Sequence, residues 1–104
     1  MKVINCTPHP INLNSGAVFE VSETIARVKA NFIEAESETG FPVFEQEFSE
    51  VVGLPAPEPG TIYIVSAMVL SASDRRDLVA PATGHPDAIR NEKGHIVSVP
   101  GFVR

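Results

Sequence analysis

Hydrophobic and polar positions alternate along most of this chain, and prolines and glycines punctuate the alternation. The longest apolar run spans residues 62–70, with Ser66 its one interruption. It begins after the proline-rich turn of residues 54–60 and runs toward Asp74-Arg75-Arg76-Asp77. Residues 61–65 carry few polar groups and three β-branched aliphatics, Ile62, Ile64 and Val65, the pattern of a strand covered on both faces. Ser66 suits a helix N-cap. Ala67, Met68, Leu70 and Ala72 are good helix formers, so the pattern predicts a short helix from Ala67 to about Arg76. Arg75 and Arg76 would then stand in its last turn, where cations complement the dipole.

Upstream, residues 3–5 open as a strand. Thr7-Pro8-His9-Pro10 forms a stiff extended connector, because two prolines remove two backbone donors and restrict the residues before them. Residues 11–13 and 17–21 flank Asn14-Ser15-Gly16, a hairpin signal. Ala26, Val28, Ala30 and Phe32 share one face; the parity then flips, leaving Ile33 and Ala35 as the less polar positions. Such a flip predicts a β-bulge or bend after Phe32. Residues 41–52 fit two periods. Phe44, Phe48, Val51 and Val52 have helical spacing, with Gly53 as a C-cap, yet Phe44, Gln46 and Phe48 also alternate with glutamates. Aromatic and β-branched content favours a strand, paired to its predecessor through Thr39-Gly40. Residues 78–81 read as a short extended segment. Residues 88–90 and 95–99 read as a hairpin about Asn91-Glu92-Lys93-Gly94, and Phe102-Val103 as a last edge pairing. The expectation is one β-rich α+β domain over residues 1–104, with six to eight strands in a small barrel or sandwich and one short helix against it.

Charge sharpens this picture. The net charge is −5, and residues 31–72 hold seven glutamates but no Lys or Arg. From Arg75 onward basic residues outnumber acidic ones. Duplex nucleic acid is excluded as a partner, since that affinity comes from neutralising many phosphates, but a local basic pocket for a small anion is not. No apolar stretch approaches the ~20 residues of a membrane span, and the opening residues are too short for a signal-peptide core. Cys6 is the one cysteine, so no internal disulfide forms and a cytoplasmic setting is the simplest reading. The six phenylalanines exceed what one small subunit hides, which predicts a homo-oligomer.

Several segments together resemble a family of small proteins encoded by bacteriophages, prophages and many bacteria. They are Ile4-Asn5-Cys6-Thr7-Pro8-His9-Pro10-Ile11, Gly53-Leu54-Pro55, Pro59-Gly60-Thr61-Ile62-Tyr63-Ile64-Val65-Ser66, Arg76-Asp77-Leu78-Val79-Ala80-Pro81 and the hairpin from Arg90 to Val97. The resemblance covers nearly the whole chain, least well over residues 34–47. It implies a phage-linked cytoplasmic protein and carries no mechanism. Some small acidic phage proteins with β-rich cores are counter-defence factors that sequester nucleotide immune signals at subunit interfaces, and the analogy extends to this chain at the level of class alone.

The candidate chemistry is therefore that of anion binding. Thr7 and His9, held by prolines, would present a hydroxyl and an imidazole at little entropic cost. Arg75, Arg76 and Arg90 can fork onto phosphate, although one of the adjacent pair is expected to hold Asp77. Thr83-Gly84-His85 offers a hydroxyl, free backbone and an imidazole on a loop, and Ser66 stands where strand passes to helix. Ser66 lacks the flanking glycines of a nucleophile elbow, being set between Val65 and Ala67, and no carboxylate pair has acid/base spacing. Cys6 and His9 are spaced C-x-x-H without a second close pair, so no metal is expected, and no cofactor. The chain reads as a non-enzymatic binder of a small anionic ligand, of the cyclic dinucleotide or ADP-ribose type, countering anti-phage defence. The alternative is a protein–protein interaction or accessory module whose acidic face, within residues 34–50, meets a partner.

Overall fold

The computed structural model describes residues 1–104 apart from the side chain of Ser49. The fold is β-rich with one short helix. Strand β6 (Thr61–Ile64) lies at its centre, as its unbroken apolar content requires. It pairs in parallel with β1 (Lys2–Asn5) on one side and β7 (Leu78–Pro81) on the other. The last strand, β10 (Phe102–Val103), closes the far edge antiparallel to β7. The order is β1-β6-β7-β10.

Between β6 and β7 the chain crosses through α1 (Ala67–Ala72). Ser66 caps it, its hydroxyl accepting from the Val69 amide at 3.3 Å. The helix is shorter than the sequence predicts. It stops at Ala72, Ser73 is extended, and no basic residue stands in its last turn. The physical reason is competition for the backbone: the Ser73 hydroxyl takes the Arg75 amide at 3.2 Å, a local turn that pre-empts helical hydrogen bonding.

Three two-stranded sheets surround this body. β2 (Ile11–Asn12) pairs β3 (Val18–Phe19), and β8 (Ile89–Arg90) pairs β9 (Ile96–Ser98), both hairpins falling where the turn residues place them. The third joins β4 (Arg27–Ala35) to β5 (Val43–Val52), so residues 43–52 are strand and not helix. Its register slips between Val28 and Ala30, nearer the body than the bulge expected after Phe32. The parity flip at Ile33 needs no bulge because both arm faces are exposed there and neither enforces a pattern. The four sheets do not close into a barrel.

The core is small: Cys6, Ala26, Tyr63, Val65, Val69 and Leu78, with Ile4, Val28, Val51 and Leu54 against it. The β4–β5 hairpin leaves this core as an arm. The radius of gyration is 16.5 Å, against about 13 Å for a compact chain of this length, and the molecule measures 51 × 38 × 22 Å. Gly53 pins the arm's root. Its φ is +82°, and an added Cβ would lie 2.2 Å from the Ile25 carbonyl oxygen. Among the described residues no helix is long and apolar enough to cross a membrane.

Candidate functional site

The eight residues picked out for anion binding fall into three groups. The first is built into the scaffold. Thr7 is buried; its hydroxyl donates to Asn5 Oδ1 at 2.6 Å and lies 2.9 Å from the His9 carbonyl. Asn5, itself buried, donates to the carbonyls of His9 and Phe19 and accepts from the Thr7 amide. This one amide replaces the donors and acceptors that a proline-broken connector cannot pair with itself. The exposed polar edge expected at Thr7 and His9 therefore exists at His9 alone. Ser66 is held as the helix cap.

Arg75 belongs to the same group. Its Nε and Nη2 donate to the two Asp77 carboxylate oxygens at 3.0 and 2.6 Å, and Nη1 donates to the Pro55 carbonyl at 2.8 Å. The guanidinium also lies 5.6 Å from the Tyr63 ring centroid, while the Tyr63 hydroxyl donates to the Ala56 carbonyl. The pair thus ties the proline-rich turn to the start of β7, the role expected of one arginine. The hydrogen bonds from Arg75 hold the Asp77 carboxyl below the usual carboxylate range, and the same bonds raise the Arg75 guanidinium. Burial raises the Tyr63 phenol and the Cys6 thiol, the latter opposed by a hydrogen bond from Ser22. Cys6 is the small buried hydrophobe its setting implies.

The second group does converge. His9 and Thr83 line a groove of about 220 Å³ with Pro81 and residues of β2 and β9. Arg90 reaches toward it, donating through Nη2 to the Thr83 carbonyl at 3.4 Å and through Nη1 to that of Gly94. His85 stands on a neighbouring recess beside Phe102, its Nδ1 accepting from the Asp87 amide at 3.0 Å. The third group is Arg76 alone, exposed before β7. Since Arg75 and Arg76 precede β7 while Pro81 ends it and Thr83 follows it, the arginine pair and the His9 groove stand at opposite ends of that strand, and neither arginine lines that groove. Among the described residues no group of His, Cys, Asp or Glu could hold a metal ion.

A different surface stands out by its chemistry. Residues opposite one another across β4 and β5 share a face: Ala30 with Phe48, Phe32 with Gln46, and Glu34 with Phe44. This face runs outward from Val28 and Val51, which pack on the core. Phe32, Phe44 and Phe48 are 66%, 55% and 48% exposed, and Phe41 near the tip is 75% exposed. Two other phenylalanines behave otherwise: Phe19 and Phe102 meet edge to face at 5.6 Å. The surplus noted in the sequence is thus concentrated on the arm. Between the arm and α1 lies a groove of about 570 Å³, lined by Val28, Phe48, Glu50, Ala67, Met68 and Ala72 among others. Met68 was legible as a helix former but not as a wall of this groove, because that role requires knowing which helix face meets the arm.

No family model, no curated protein and no solved structure matches this chain.

Proposed function

We propose that this protein is a non-enzymatic interaction module that engages a protein partner through the β4–β5 arm, in the cytoplasm of a phage-infected bacterium. The observation that supports this reading is the apolar arm face, Phe32, Phe44 and Phe48, continuing from the core into solvent. A lone two-stranded hairpin is marginal in water, so an arm of this length gains from being covered. Fully hiding each phenylalanine is worth about 1.5–3 kcal/mol. The acidic tip, with Glu34, Glu36 and Glu38, repels phosphate and suits a protein surface instead.

The test is site-specific photo-crosslinking in expressing cells. Benzoylphenylalanine in place of Phe44 gives a discrete adduct of defined mass, which Phe48→Ser in the same chain abolishes. The same probe in place of the exposed Glu20 gives none. Equal labelling from both positions, or none from either, overturns the reading.

One observation favours a second reading. His9 and Thr83 line one groove and Arg90 bonds the Thr83 carbonyl, which brings an imidazole, a hydroxyl and a guanidinium near one another, as an anion binder of the kind suggested by the phage resemblance would need. At about 220 Å³ it is below the ~300–1,000 Å³ of most ligand sites, so one subunit would take only part of a cyclic dinucleotide or ADP-ribose-type signal. Saturating ligand at 100 times its Kd adds about 2.7 kcal/mol to stability. A thermal shift with such nucleotides that His9→Ala abolishes would establish this reading, and its absence would remove it.

A further inference from the structure

The two ends of the arm are unlike and complementary. Its root offers the apolar groove against α1 and, sharing Val28 and Glu50 with it, a recess lined by Arg27 and Lys29. Its tip offers the converse: Phe41 and Phe44 in solvent, flanked by Glu34, Glu36 and Glu38. One end is an apolar concavity beside cations; the other is an aromatic projection beside carboxylates. The nine residues of β4 span about 30 Å, and strand pairing holds them extended, so no tip can reach its own root.

We propose that the partner of the arm is a second copy of this chain, docked antiparallel so that the tip of each arm seats on the root of the other. This rests on the arm being the interaction surface and names what covers it. Phe41 and Phe44 of one copy enter the groove beside Met68 and Ala72 of the other, while the acidic tip meets Arg27 and Lys29. One like charge, Glu50, stands in the seat against those two cations. Because each copy gives and receives the same contact, the arrangement closes as a twofold dimer and leaves no free tip to propagate. Charge sets its direction: a parallel alignment would bring tip carboxylates together, whereas the antiparallel one alternates sign and steers encounter.

Sedimentation of the purified full chain over a range of concentrations tests this. A dimer is expected, weakening as salt rises. Phe44→Ser weakens it roughly thirtyfold, the loss typical of a central aromatic contact. Arg27→Glu also weakens it, and Arg27→Glu combined with Glu36→Arg restores it, because each copy then carries both halves of the exchanged pair. Thermal melts establish that the variants fold. A monomer at every concentration overturns the dimer. If Phe44 then still crosslinks to a different chain, the arm remains an interaction surface with another occupant; if it crosslinks to nothing, that reading falls as well. A dimer indifferent to Phe44→Ser and Arg27→Glu, or a ladder of larger species, also overturns the antiparallel arm pairing.

Discussion

Strands β6 and β5 are both rich in apolar residues and meet opposite fates. In β6, Tyr63 and Ile64 are almost wholly buried, because β1 and β7 flank the strand and α1 crosses over it. In β5, Phe44 and Phe48 are half exposed, because the strand has one neighbour and extends past the core. Apolar content alone does not decide burial; the number of elements that reach a strand does. In the body, apolar residues hold the chain together. On the arm they have nothing of their own chain to cover them, which makes them a surface.

The contrast can be broken by substitution. The largest effect is expected at Leu78, fully buried in the core: Leu78→Ala should cost about 2–5 kcal/mol, read as a lower denaturant midpoint. Gly53→Ala follows at about 2–3 kcal/mol, since it demands an unfavourable φ and a clash with the Ile25 carbonyl. Arg75→Ala should cost about 1–2 kcal/mol through loss of its bonds to Asp77 and Pro55, measured by thermal melts. This deficit is pH-dependent. Asp77 titrates lower in the folded chain than unfolded, so the pair's contribution is fully present above the unfolded value of about 4 and is lost as pH falls through the folded value. The gap between wild type and Arg75→Ala should therefore narrow in acid to the part that the Pro55 bond supplies; a constant gap would mean the Asp77 bonds contribute little. On the arm, Phe44→Ser should alter stability of the separated subunit by no more than about 0.5 kcal/mol while changing assembly. A large loss of stability there would erase the distinction between body and arm.

The scaffold was more legible than the site. The β6 strand, the Ser66 cap, three hairpins and the terminal edge pairing all follow from period, capping chemistry and turn residues, which act within a few positions of one another. The helix end was not legible, because the Ser73 hydroxyl takes the Arg75 amide that a longer helix would give to the carbonyl four residues back. Nor was the use of Thr7, which has the right chemistry for a phosphate but gives its hydroxyl to Asn5, two residues away. Arg75 was half legible: a clasp on Asp77 was expected of one of the two arginines, and the bond to the distant Pro55 carbonyl shows which. His9 and Thr83 were named separately, and tertiary structure drew them to one groove across more than 70 positions, with Arg90 bonded to the Thr83 carbonyl.

By itself, the order of residues determined that this chain is β-rich, with a buried central strand, one short capped helix and more phenylalanine than its core can hold. Those are properties of local periodicity and composition. Only the tertiary structure decided which arginine is locked, where β1 enters the sheet and that the excess aromatics share one arm. Each of these depends on contacts between residues far apart in sequence, whose distances no local pattern encodes.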